Sequence, residues 1–225
     1  MQSSTDLPTQ GSGSVISGSF QDGWLAFKRA WASVYGLGIV YLIIVGALTG
    51  FGQFVLKLGG GEPGGMYMLY QLASGIVQVL LGAGFSYALL GYVRQDLSVG
   101  LGTLFEGFLH IGALLVATLL VSLAVLVGFL LLVIPGIVIS LGLVQVYYLI
   151  LDREMGGVES LQASWAMMRG YKLQYLVFGL ACMLLVLVSL IPFGLGLFVS
   201  IPVMALASAA FYERVLAANP PPKLA

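Results

Sequence analysis

Two stretches of the chain, Ile111–Leu151 and Leu173–Tyr212, run for 41 and 40 residues without an Asp, Glu, Lys or Arg. As a single helix at 1.5 Å per residue, either would reach about 60 Å, roughly twice the hydrocarbon thickness of a bilayer. Each must therefore fold back on itself. Residues that end helices and permit tight turns sit near the middle of both runs: Ile134-Pro135-Gly136 in the first and Pro192-Phe-Gly-Leu-Gly196 in the second. Trp31–Leu56 and Met66–Val93 add uncharged runs of 26 and 28 residues, each long enough for one crossing. The loop Gly59-Gly-Gly-Glu-Pro-Gly-Gly65 separates them. The chain thus reads as six spans in three hairpins, with Pro202 kinking the last span or sitting in its first turn.

Composition agrees. Of 225 residues, 60% are hydrophobic and 8% charged, and mean hydropathy is +1.04, whereas a soluble domain is about a quarter charged. Too few polar groups exist to cover a water-soluble surface, and disorder needs the opposite composition. A formal net charge of zero lacks the basic footprint of a nucleic-acid binder. One cysteine, Cys182, permits no internal disulfide, and one histidine, His110, leaves no pair for zinc. The expected class is an all-α integral membrane protein.

Charge placement orients it. Lys28, Arg29, Arg94, Arg153, Arg169, Lys172, Arg214 and Lys223 fall on the side shared by both termini, and Lys57 alone falls on the other. The positive-inside rule makes the first side cytoplasmic, which implies a multi-pass protein of the inner (plasma) membrane. Residues 1–18 carry no basic start or short apolar run of a secretory signal and read as a flexible cytoplasmic tail. Residues 19–216 read as one six-helix domain, and 217–225 as a Pro-rich stub.

A short amphipathic stretch precedes each hairpin. Phe20, Trp24, Phe27 and Trp31 recur at helical spacing before the first; Leu101, Leu104, Phe105 and Phe108 do so before the second; Val158, Leu161, Trp165 and Met168 before the third. Thr103-x-x-Glu106 has the form of a capping box. After each hairpin the chain returns to an arginine: Arg94, Arg153 and Arg214. From Phe27, Phe108 and Trp165 to these arginines the separations are 67, 45 and 49 residues. Three parallel units follow, about 19–96, 99–154 and 157–216, each an interfacial helix, a span out and a span back. Such helices are expected to lie in the headgroup layer, where they either set the depth of the spans or contact lipid or a partner through Trp24, Phe27, Trp31, Phe105, Phe108 and Trp165.

Chemistry is sparse. His110 reads as an interfacial, hydrogen-bonded residue and Cys182 as a small packed one. The Gly59–Gly65 loop lacks the Gly-Lys-Ser/Thr ending of a phosphate loop and reads as a connector. No ionisable residue falls within a span, which disfavours proton- or ion-coupled transport. Amides do fall there: Gln71, Gln78 and Gln145 could line a polar groove for a neutral or lipid-like solute, or simply bond helix to helix. Gly46-x-x-x-Gly50, Gly82-x-x-x-Ser86 and Ala205-x-x-x-Ala209 suit close packing of helices, within the chain or between chains. Asp152, Glu154 and Glu159 read as a solvated turn with local ion pairing, or as a cation or substrate site. No catalytic set, metal site or cofactor site can be assembled.

Ile134-Pro-Gly-Ile-Val-x-Ser140, the acidic turn Asp152-Arg-Glu154, Gly157-Val-Glu-Ser-Leu-Gln-Ala-Ser-Trp165 and Arg169-Gly-Tyr171 form a pattern, with Gly23-Trp-x-x-Phe27 and Leu104-Phe-x-Gly-Phe108 fitting it. It resembles the mostly uncharacterised bacterial six-helix inner-membrane proteins related to the membrane domain of some glycerophosphodiester phosphodiesterases, over residues 19–216. The resemblance implies a six-helix membrane domain. It implies no phosphodiesterase activity, because the hydrolase domain joined to some members is not among these residues. The expected function is a non-enzymatic scaffold or accessory subunit of a membrane complex, or an organiser of membrane lipid. Its partners would be lipids, other integral membrane proteins or a second copy, not nucleic acid. The alternative is a carrier or conduit for an apolar or lipid-like solute.

Overall fold

The structure, a computed structural model, describes residues 15–96, 98–191 and 193–221. Nine α-helices are present among them: α1 Val15–Leu58, α2 Gly65–Arg94, α3 Glu106–Leu109, α4 Ile111–Leu131, α5 Val133–Leu143, α6 Val146–Arg153, α7 Gly157–Met167, α8 Lys172–Leu190 and α9 Leu197–Ala218. A 3-10 turn, Leu101–Phe105, leads into α3. Six crossings are long and apolar enough for a bilayer: α1, α2, α4, the α5–α6 pair, α8 and α9. The chain is therefore an all-α protein with six membrane-spanning helices.

The three separate interfacial helices expected from sequence are not found. Among the described residues only two short segments stand apart from the spans: the Leu101–Leu109 segment and α7. The first stretch runs into the first span with no loop between them. The two are merged across a bend at Ala30, whose φ of −121° and ψ of 21° leave the helical region. We call residues 15–29 the arm. It begins at Val15, within the expected tail, since Val15, Ile16 and Phe20 pack against the core. Residues 1–14, the rest of that tail, lie outside the described residues. At the other end α9 runs to Ala218, and Asn219 Nδ2 donates to the carbonyls of Ala166 and Met167 at 3.2 and 2.9 Å, tying the C-terminus to the end of α7. Residues 222–225 also lie outside the described residues.

The spans alternate in burial. The most apolar windows of the first, third and fifth are 11%, 17% and 11% buried, against 39%, 39% and 50% for the second, fourth and sixth. The returning span of each hairpin is thus the inner one. The outgoing spans present residues such as Leu42, Ile43, Leu119, Leu130 and Leu184 outward, as lipid-facing helices must.

The short segments do not float in a headgroup layer. Each packs on an inner span of the preceding hairpin, in a closed cycle. The arm meets α9: a Cβ on Gly23 would stand 2.7 Å from the Ala207 backbone nitrogen. The Leu101–Leu109 segment meets α2, with Gly84 and Gly107 leaving room for the carbonyls of Leu104 and Leu80. Helix α7 meets α5, where Ser164 Oγ donates to the Gly142 carbonyl at 2.9 Å and the Trp165 indole fills the space beside Gly142. In lipid, helices gain little from burying large apolar groups against one another, so close backbone contact through small residues holds them together. The inward face of α7 is accordingly Gly157, Ser160, Ala163, Ser164 and Met167, while Val158 points outward, 54% exposed, and the half-exposed Trp165 lies along α5.

The reversals fall close to where the breakers predict. Leu132, in extended conformation, turns the chain between α4 and α5, which places Pro135 in the first turn of α5, where its missing N–H costs nothing. Gly128 and Gly136 let the two helices touch. The last reversal uses Phe193 and Gly194 at φ 53° and 80°; Pro192 lies outside the described residues. Pro202 sits inside α9. Thr103 lies in the 3-10 turn and accepts from the Gly100 N–H at 3.3 Å, so it does not cap α3.

Candidate functional site

Three features could do chemistry or binding: an ion network, a broken span and a cleft. The network joins the ends of the inner spans. Arg94, at the last turn of α2, forks between Asp152 of α6 and Glu213 of α9, and its Nη2 lies 3.0 Å from Asp152 Oδ2. Tyr212 donates its hydroxyl to that oxygen at 2.8 Å and stacks on Tyr148 with centroids 4.9 Å apart. Arg153 Nε lies 3.4 Å from Asp152. Beside it, Arg214 pairs with Asp22 of the arm at 2.8 Å. Two of the three closing arginines thus bind acids from other hairpins, while Arg153 pairs with its own neighbour.

Asp152 is consumed by this network. Glu159 is occupied in helix capping, since its Oε2 accepts from the Gly156 N–H at 3.3 Å. Among the described residues no three His, Cys, Asp or Glu converge to hold a metal, so the expected alternative of a cation site at Asp152, Glu154 and Glu159 is not formed. In the following turn Asp96 accepts from the backbone N–H and hydroxyl of Ser98 at 2.8 and 2.7 Å. Those two bonds hold its carboxyl below the usual range.

The fourth span is broken. Helix α5 ends at Leu143, α6 begins at Val146, and Gln145 (φ −92°, ψ 2°) stands in the gap. Its side chain is buried, and neither amide atom has a hydrogen-bond partner. Gln145 makes no hydrogen bond to Gln71, which is exposed, or to Gln78, which is half-buried. Next to it, Tyr147 shares a hydrogen bond with Thr118 at 3.2 Å and lines a cleft of about 280 Å³ with Val79, Gly82, Ala83 and Ser86. No Pro or Gly within the gap announces the break in sequence.

The larger cleft, about 460 Å³, opens between α4, α5 and α7 and is lined by Ala124, Ile139, Leu143, Leu161, Gln162, Trp165, Ala166 and Arg169. Trp165, expected as a contact residue, forms one wall, and Lys172 Nζ sits 2.9 Å from its ring centroid. The other expected contact residues scatter. Trp24, Trp31, Phe105 and Phe108 are exposed around the outside. Phe27 is buried in the core between the arm and α9. His110 caps the bend between α3 and α4, its Nδ1 3.4 Å from the Glu106 carbonyl, and Cys182 packs against the main core.

Fold and site together define a multi-pass integral membrane protein. Residues 121–219, under half of the chain, match the model of a family described as "Protein of unknown function (DUF975)". That stretch runs from the middle of α4 to the end of α9 and contains the broken span, the cleft and Asp152. The match carries no link to a phosphodiesterase. No curated protein and no solved structure matches the chain.

Proposed function

We propose that this is a non-catalytic protein of the bacterial inner membrane, both termini cytoplasmic, acting as scaffold or accessory subunit of a membrane complex and organising the lipid around it. One observation carries the reading: Trp24 of the arm, Trp31 at the start of the first span, and Phe105 and Phe108 of the Leu101–Leu109 segment are exposed on the outside, beside outer spans that are little buried. Large aromatic side chains that their own chain leaves largely exposed are what a lipid or a second membrane protein would meet. Meanwhile Asp22, Asp152 and Glu213 are spent on arginines. The three-unit organisation draws support from the alternation of inner and outer spans. Purification in lipid discs, with native mass spectrometry of what stays bound, tests the scaffold. A co-purifying protein that is lost on Trp31→Ala or Phe105→Ala is expected; recovery of the bare chain with full function in cells removes the reading. Orientation is tested by a periplasm-active reporter, active at Gly60 and silent after Asp152.

The alternative, a conduit for a lipid-like solute, is favoured by Gln145, an unpaired amide in a broken span, as transporters place at their binding sites. Loss of function in Gln145→Leu with expression intact would favour it over the scaffold.

A further inference from the structure

We infer that the cleft between α4, α5 and α7 is a binding site for one anionic phospholipid, with an acyl chain between the helices and the headgroup phosphate on Arg169 and Lys172. The inference adds a ligand to the lipid-organising part of the reading above and rests on the chain residing in a bilayer. The cleft's volume, about 460 Å³, falls in the range of roughly 300–1,000 Å³ typical of small-molecule sites. Its walls are hydrocarbon and indole: Ala124, Ile139, Leu143, Leu161 and Trp165. Its polar end is Gln162 and Arg169.

Charge decides the occupant. The arginines at the ends of the inner spans all have carboxylate partners. Among the described residues the Arg169 side chain has neither carboxylate nor hydrogen bond, and the Lys172 ammonium rests on the Trp165 ring. Two cations without an acid stand where α7 hands over to the fifth span, at the mouth of an apolar slot. An amphiphile with a negative head and a hydrocarbon tail complements both ends of the site, and a guanidinium matches phosphate geometry. The slot is also built: Gly142, lacking a Cβ, admits the Trp165 indole and the Lys172 stem, and Ser164 bonded to the Gly142 carbonyl fixes the rotation of α7.

Trp165 makes the site readable. With Trp24→Phe and Trp31→Phe it becomes the only indole, and bromine on an acyl chain quenches indole fluorescence on contact. The full chain carrying these two changes is placed in lipid discs containing chain-brominated phosphatidylglycerol, or chain-brominated phosphatidylcholine, as a minor component. Phosphatidylglycerol is expected to quench several-fold more effectively, and the preference is expected to fall about fivefold for each cation removed, in Arg169→Gln and again in Arg169→Gln/Lys172→Gln. Because Arg169 is exposed and its side chain makes no hydrogen bond or ion pair, the single variant is expected to fold and decides the matter even if loss of Lys172 disturbs the indole. Equal quenching by the two lipids, or an unchanged preference in Arg169→Gln, overturns the site. A preserved preference in a chain that is also recovered bare with full function in cells supports the site while removing the scaffold.

Discussion

Asp152 shows how much one residue can hold. Its side chain is 5% exposed and receives Arg94 and Tyr212, with Arg153 alongside. Asp152→Asn keeps the shape but removes the charge that three neighbours face. A charged hydrogen bond contributes about 1.5–3 kcal/mol. Because Arg94 is a third exposed and retains Glu213, the loss should be near the lower end, about 2 kcal/mol. A lower melting temperature in detergent measures it, with Glu62→Gln in the exposed loop as the neutral control. Glycine makes the second residue-scale prediction. Gly84→Ala would drive a methyl into the Leu104 carbonyl, whereas Gly75 has open space around it. Overpacking costs about 1–3 kcal/mol, so Gly84→Ala should destabilise and Gly75→Ala should not. The sequence displays Arg94 as a unit's closing residue, but its partners lie 58 and 119 residues away. No local spacing can reveal them.

At the scale of elements, the hairpins were legible because charge-free length and Pro-Gly breakers are properties of the chain alone. The packing of the short segments was not. The stripe Val158, Leu161, Trp165 and Met168 reads from its spacing as the apolar face of a helix lying in the headgroup layer. The structure divides that stripe: Val158 faces out, Met168 is fully buried, and the small residues Gly157, Ser160 and Ser164 face in. Ser164→Leu should therefore cost about 2 kcal/mol or more by overpacking and loss of the bond to Gly142. Val158→Ala on the outward face should change stability by less than about 0.5 kcal/mol. The break in the fourth span was also hidden, since Gln145 reads like any other amide in a span. Its orphaned amide gives a prediction of opposite sign. An unsatisfied buried polar group costs about 1–3 kcal/mol, so Gln145→Leu should raise the melting temperature. A fall would mean that the amide has a partner in the membrane, water or solute, that stabilises the fold.

The whole molecule is a ring of dependencies. The arm lies on the last span, the Leu101–Leu109 segment on the second and α7 on the fourth, while Arg94 joins the ends of all three inner spans. No hairpin completes its own contacts. A chain cut between Asp96 and Ser98, expressed as two pieces in one cell, should consequently reassemble, because the first piece supplies both the arm for α9 and Arg94 for Asp152 and Glu213. The contact most open to a reciprocal test is Asp22 with Arg214, whose side chains are 25% and 23% exposed. An exposed pair contributes only about 0.2–1 kcal/mol, but reversing one charge replaces attraction by repulsion in a crowded place, where Gly18 leaves just enough room for the guanidinium. Asp22→Lys in the first piece, or Arg214→Glu in the second, should lower recovery of the tagged partner piece. The two together should restore much of it. If both single reversals leave recovery unchanged, the arm does not dock on α9, and the ring is open at that point.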